Sequence, residues 1–275
     1  MNERTEHVRT ERDSRMPIIT LTTDYGTQDG YVGALKGAIL SVAPTVRIVD
    51  ITHEIEPYSV LHGALVLKQV WPWFPPGTVH LCVVDPGVGT SRGVLVASFG
   101  ERFVVAPDNG LLTLVARSES CDAMYFAANP KFFHESVSPT FHGRDVLAPI
   151  AAHLANGISI AEFGPRTERM TRLELPEPLV SPTLIRGHVL HVDRFGTLVT
   201  NVDGTVLRSP TSDSEPWVVV VDGVEIGAIR TTFGDVEPGN PVALIGSSGF
   251  LEIAVNQGRA VDRFGRSPSI EVRRV

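Results

Sequence analysis

From residue 17 to residue 85 the chain alternates two kinds of apolar pattern, and this alternation restricts its fold more than any other feature. The runs "PIITLTT" (17–23), "VRIVDI" (46–51) and "VHLCVVD" (79–85) are short and nearly continuous in apolar and β-branched residues. Such runs predict buried strands. Between them, "GYVGALKGAILSVAP" (30–44) repeats Val32, Leu35, Ile39 and Leu40 on one helical face and stops near Pro44. "SVLHGALVLKQVW" (59–71) is a second helical segment, ended by Pro72. Strand, helix, strand, helix, strand implies a mostly parallel sheet with helices on its faces. Ligands of such sheets sit beyond the carboxyl ends of the strands. Asp24 follows the first strand, and Asp50 and Asp85 are expected to end the second and third.

The pattern changes near residue 175. "RLELPEPLVSPTLIRG" (172–187) is proline-rich and lacks periodicity. Beyond it, "HVLHVD", "TLVTNV", "WVVVVDG", "VEIGAIRTTF", "PVALIG" and "FLEIAVN" are short apolar runs punctuated by Gly, Asp and Pro, which suggests a small β-barrel or sandwich. The expected class is therefore an α/β N-terminal domain with a mostly parallel sheet, plus an all-β C-terminal barrel domain. The boundaries drawn are a disordered tail at 1–16, the α/β domain at 17–175, a linker at 176–186 and the β domain at 187–275. The first sixteen residues mix both charges with no apolar block, unlike a signal peptide, and no apolar run is long enough for a membrane helix. A net charge of −7 argues against nucleic-acid binding and suits a cationic substrate. Two cysteines without metal-type spacing fit a reducing cytoplasm.

"LCVVDPGVGTSRG" (81–93) runs from a strand into a glycine-rich turn. A dinucleotide-binding loop needs a helix next, whose N-terminus holds the pyrophosphate. Here "VLVASF" follows, which reads as another strand, and the glycine spacing is wrong. The loop is better read as a rigid mount for Asp85 and Arg92, its glycines taking positive φ. "TFHGRD" (140–145) puts His142, Arg144 and Asp145 at a helix start, where Asp145 suits the helix dipole and His142 suits either a cap or a cleft. In "TTDYGTQDG" Asp24 and Asp29 read as a helix cap or turn former in preference to a ligand contact. Asp108 and Asn109 in "APDNGLL", and the lone His53, read as structural.

Seven segments occur in order: "LTTDYG", "VDITHEI", "VVDPGVGTSRG", "APDNGLLT", "TFHGRDVLAPIAAHLA", "VDRFGTLVTN" and "GSSGFLEIAVNQG". Together they resemble the S-adenosyl-L-methionine hydroxide adenosyltransferases, S-adenosylmethionine hydrolases related to fluorinase and chlorinase. The resemblance runs from about Pro17 to the C-terminus. It implies hydrolysis of S-adenosyl-L-methionine to adenosine and methionine, with no cofactor and no metal. It also implies a homotrimer with sites between neighbouring subunits, and no nucleic-acid or membrane partner.

The same resemblance implies roles for residues. Asp85, Arg92 and His142 match the family's catalytic set. Asp24 matches an aspartate that grips the ribose hydroxyls, while Asp29 and Asp193 lie near contacts to the methionine end. Ser247 and Glu252 correspond to methionine-binding positions, and the backbone around Val255 to an adenine contact. Tyr58 replaces a tryptophan that packs beside the substrate in fluorinase. Thr197 stands where the family pattern has an asparagine that helps read adenine, and nearby Asn201 is a candidate substitute. Where Asp85 and Gly143 stand, fluorinase has a tyrosine and a halide-contacting serine, so the halogenase alternative is disfavoured. Two further alternatives are a non-catalytic adenosine or S-adenosylmethionine binder, and a metal-dependent hydrolase using Asp24, Asp85, His142 and Asp145.

Overall fold

The computed structural model describes residues 16–207 and 216–274. The expected tail at 1–16 thus lies, except for Met16, outside the described residues. The chain divides into two compact units, the first ending at Leu173 and the second beginning at Glu174.

The first unit contains β1 (Ile18–Thr23), α1 (Tyr31–Val42), β2 (Arg47–Thr52), α2 (Val60–Val70), β3 (Val79–Val83), β4 (Val94–Phe99), β5 (Arg102–Pro107), α3 (Val115–Ser118), β6 (Cys121–Phe126) and α4 (Ala148–Ala155). Its six strands lie in the order β2-β1-β3-β5-β4-β6. The pairs β1/β2, β1/β3 and β3/β5 run parallel, whereas β4/β5 and β4/β6 run antiparallel. The sheet is therefore only partly parallel, because β4 and β5 are joined by two residues, Gly100 and Glu101, with Gly100 at φ 60°. A loop that short permits only a hairpin. The β3 residues alternate between two cores. Leu81 and Val83 pack with Leu35, Ile39 and Ile150, while Cys82 and Val84 pack with Leu67, Trp71 and Leu111. Both faces are covered, which explains why every residue of the strand is buried, His80 included. Burial pushes the Cys82 thiol up to about 12, so it is an inert core group.

β1 has β2 on one side and β3 on the other, which makes its carboxyl end a topological switch point. Asp24 and Asp85 follow β1 and β3 closely at that end. Asp50 does not join them. It lies inside β2 opposite Leu21 and is bound by Lys36 Nζ at 2.6 Å and His53 Nε2 at 3.2 Å.

The second unit contains β7 (Leu179–Val180), β8 (Leu184–Gly187), β9 (Val189–Val192), β10 (Leu198–Asp203), β11 (Trp217–Val221), β12 (Val224–Ala228), β13 (Pro241–Ile245), β14 (Phe250–Val255), α5 (Ala260–Phe264) and β15 (Ile270–Arg274). One sheet runs β13-β14-β10-β9 and the other β12-β11-β15-β8-β7. Ile185, Leu198, Val219, Leu251, Ile253 and Val272 form the core they share. Among the described residues the ladders form these two sheets and no closed ring. β7 and β8 occupy the stretch expected to be a linker. Prolines 176, 178 and 182 interrupt its local pattern, but Leu184–Gly187 finds its partner across the unit, in β15. Among the described residues no helix is long and apolar enough to cross a membrane.

Candidate active site

Two loops meet at the carboxyl ends of β1 and β3. The first, following β3, begins at Asp85, and its mooring is Asn109, whose Nδ2 donates to the Val84 carbonyl at 2.8 Å. Of its three glycines only Gly89 takes positive φ, at 77°. The reason lies in the second loop: a Cβ on Gly89 would stand 2.4 Å from the Pro139 carbonyl oxygen. The glycine is there to let two backbones touch. The second loop is tied down by Asp145, which is fully buried, accepts from Ser138 N at 2.8 Å and pairs with Arg144. Asp145 is therefore a structural clasp rather than a helix-dipole residue. It sits in a π-helical turn, Gly143–Leu147, that precedes α4 and directly follows His142.

The clasped loops bring together three groups that are 50 residues or more apart at their widest. Arg92 Nε donates to Asp85 Oδ1 at 3.0 Å and Oδ2 at 3.1 Å, and Nη2 donates to Oδ2 as well. The same Nη2 lies 3.0 Å from His142 Nδ1. Side-chain exposure is 6% for Asp85 and 10% for Arg92, so the pair is largely dry and its bonds are strengthened. A guanidinium cannot accept a hydrogen bond, so His142 Nδ1 must be the acceptor and the neutral ring carries its proton on Nε2. Burial, and then the charge of Arg92, lowers the His142 pKa from its ordinary value.

Asp85 and His142 line an open cleft of about 670 Å³ with Asp24, Tyr58, Tyr25, Phe141 and others. Asp24 Oδ2 accepts from Tyr58 N at 2.9 Å, holding Tyr58 at φ 68°. That conformation is costly for a side-chain-bearing residue and persists because the carboxylate holds it. Asp29 is exposed and lines an adjoining groove with Asp24, Gln28 and Glu54. Thr23 Oγ1 binds His53 Nδ1 at 2.9 Å, so His53 is structural, as its sequence context suggests.

The remaining candidates belong to the second unit. Asp193 forms the turn between β9 and β10, accepting from Thr197 N at 2.8 Å. Burial, and then the charge of Asp193, raises the pKa of Glu252. Glu252 packs so closely on Gly246 that a Cβ there would stand 1.8 Å from its Oε1, which puts Ser247 beside this acidic pair in sequence. Val255 ends β14. Asn201 does not offer its amide to a ligand. Its Oδ1 accepts from His188 N at 2.7 Å and its Nδ2 donates to Pro176 O at 2.6 Å, so it ties backbone segments together. Sequence reasoning missed Tyr25, Tyr31 and Phe141, whose rings pack within 6.0 Å of one another on the cleft wall. The position of Tyr25 one residue past Asp24, beyond the β1 end, was the available signal.

Comparison with known proteins gives the family. The family models described as SAM hydroxide adenosyltransferase N-terminal and C-terminal domain match residues 19–164 and 187–273. The chain belongs to the SAM hydroxide adenosyltransferase family. It is 41% identical to the (R)-S-adenosyl-L-methionine hydrolase of Salinispora tropica, covering 94% of this chain and 97% of that one. It is 33% identical to a fluorinase of Nocardia brasiliensis, over 90% and 93% of the two chains. A crystal structure of an uncharacterized conserved protein from Thermotoga maritima superposes with a TM-score of 0.85 at 38% identity, covering 93% of this chain and all of that one.

In this SAM hydroxide adenosyltransferase the donors named for a metal alternative do not form a cage. Asp85 is chelated by Arg92, and Asp145 is held by Arg144 and Ser138. Among the described residues no group of three or more His, Cys, Asp or Glu is placed to hold a metal ion.

Proposed function

We propose that this SAM hydroxide adenosyltransferase hydrolyses S-adenosyl-L-methionine to adenosine and L-methionine, through Asp85, Arg92 and His142. The observation that carries the proposal is the bridging of Asp85 and His142, both of which line the cleft, by one guanidinium. The name of the Salinispora relative, an (R)-S-adenosyl-L-methionine hydrolase, supports the substrate and suggests the (R) sulfonium.

The chemistry asks for a good nucleophile more than for a leaving-group acid. A water oxygen bonds to ribose C5′ as the C5′–S bond breaks, and its electron pair neutralises the sulfonium. Methionine leaves as a neutral thioether and one proton is released. Positioning the water in line contributes several kcal/mol, on the order of the gain from well-oriented intramolecular reactions. Asp85 accepts a hydrogen bond from the water and takes its proton. His142 is not the base in this arrangement, since its free lone pair is already committed to Arg92. Its Nε2–H orients the water, and Arg92 fixes the carboxylate and the imidazole together. Asp24 and Asp85 supply negative charge for a cationic substrate. Asp24 and Tyr58 hold the ribose side, Asp29 the adjoining groove.

Asp193, Ser247, Glu252 and the Val255 backbone would receive the methionine and adenine ends from a neighbouring subunit of a homotrimer. The barrel reading of the second unit is supported by the isolated bridge between Leu244 of β13 and Arg230, two residues past the end of β12. The test is incubation with S-adenosylmethionine in oxygen-18 water. Label in adenosine is expected, and unlabelled adenosine rejects attack at C5′. Chloride, bromide and fluoride should leave the product mass unchanged, and a chelator should leave the rate unchanged. A molar mass near that of one chain would refute the trimer.

A further inference from the structure

Tyr25 lies beyond the end of β1, and its ring lines the same cleft as Asp85 and His142. It packs edge-on against Phe141, the residue before His142, with centroids 5.7 Å apart. Its hydroxyl points at the residue after His142. A Cβ built on Gly143 would stand 2.1 Å from the Tyr25 hydroxyl oxygen, 3.2 Å from Val83 Cγ1 and 3.4 Å from Tyr25 Cζ. The hydroxyl thus fills the space that any side chain at 143 would need. Among the described residues it makes no side-chain hydrogen bond, and Tyr25 and Gly143 both line the cleft.

We propose that the Tyr25 hydroxyl is a fourth polar group of the nucleophile's site, admitted there by the absence of a side chain at Gly143. This rests on the reading of Asp85, Arg92 and His142 as that site. Two observations favour a working hydroxyl over a space-filling one. The ring packs against Tyr31 of α1 and against Phe141 of the loop that carries His142, so its oxygen is fixed by packing rather than by a partner that would occupy it. Burial, and then the charges of Asp24 and Asp85, also hold the phenol pKa well above its ordinary range, so the group keeps its proton. A neutral phenol can accept one hydrogen bond from the attacking water and donate another, which neither a carboxylate nor a guanidinium can do.

The experiment is a double-mutant cycle on the full chain, read as kcat and KM for adenosine release. Tyr25→Phe should lower kcat about tenfold or more, with KM within about threefold, as expected when one hydrogen bond to the reacting group is lost. Replacing Tyr25 by 4-fluorophenylalanine keeps the volume but not the donor, and should lose as much. Gly143→Ala should lose at least as much, because its methyl displaces the hydroxyl. Adding Tyr25→Phe to Gly143→Ala should cost nothing further, since the nearest ring atom would then be Cζ at 3.4 Å, an ordinary contact. Wild-type kcat in either Tyr25 variant overturns the proposal. Additive losses in the double variant overturn the shared-space argument. If Tyr25→Phe does not fold, the isosteric 4-fluoro variant decides alone. Failure of the underlying reading would look different: Asp85→Ala would then turn over normally, or the wild type would release no adenosine.

Discussion

Arg92 donates hydrogen bonds to Asp85 and to His142 at once, from Nε at 3.0 Å and Nη2 at 3.0 Å respectively. One residue therefore sets the geometry of both neighbours, and it fixes the tautomer of the histidine.

This makes Arg92→Lys a sharper test than it looks. Lysine keeps the positive charge but lacks the planar fork that reaches two partners. We expect kcat to fall at least about a hundredfold with KM changed little, because orientation rather than charge is lost. Turnover within about threefold of wild type would remove the bridging role. Arg92→Ala should also lower the melting temperature, since it leaves Asp85 buried and unpaired, at a cost of roughly 3–5 kcal/mol.

His142 works in its neutral form, and burial together with Arg92 holds its pKa below the ordinary 6.5. As pH falls through 6.5 an ordinary histidine would protonate, but this one stays neutral and keeps its bond from Arg92. The acid limb of kcat against pH should therefore lie below 6.5. A limb at or above that value would contradict the hydrogen bond that decides the tautomer.

Gly89→Ala should damage the site from outside it. The added methyl meets the Pro139 carbonyl at 2.4 Å, and the residue must hold φ at 77°. Each effect alone costs about 1–3 kcal/mol. The loops should part, lowering kcat and the melting temperature together. An unaltered crystal geometry and rate in this variant would show that the two loops can separate without consequence.

His80 gives a stability prediction remote from the chemistry. It is buried at 1% exposure, accepts or donates to Thr20 Oγ1 at 2.8 Å and stacks on Trp71. Burial, and then the charge of Arg102, pushes its pKa down to about 3. The unfolded chain takes up the proton at the ordinary value of 6.5, so it binds protons before the folded chain does. Stability from this group is complete above 6.5 and is lost as pH falls toward 3, at up to about 1.4 kcal/mol per pH unit. His80→Asn should flatten the acid side of the urea midpoint against pH. Equal slopes for both proteins would exclude His80 as the cause.

Whereas β5 and β6 escaped the pattern, the runs of β1 to β4 and β9 to β14 were legible because an amphipathic or doubly buried segment carries its period in its own residues. β8 and β15 were not, since Leu184–Gly187 and Ile270–Arg274 are strands only by virtue of each other. The antiparallel β4 was readable as a strand but not in direction, which depends on where β5 inserts between it and β3. Asp24 and Asp85 were placed correctly from strand order, while Asp50 was displaced two residues into β2 and absorbed by Lys36 and His53. The amide of Asn201 looked available because its two backbone partners, His188 and Pro176, come from segments a local pattern cannot join.

The amino-acid order by itself determined most of the strands and the first two helices, and that Asp24 and Asp85 follow the first and third strands. It also carried enough ordered motifs to place the chain in its family. Only the tertiary structure decided that Gly89 lets the 85–92 loop touch Pro139, that Arg92 spans Asp85 and His142, and that the Tyr25 hydroxyl fills the place of a side chain at Gly143. Periodicity is a property of neighbours along the chain. Convergence of residues 25, 85, 92 and 142 is a property of sheet register and of close backbone contact, and these exist only once distant segments have packed.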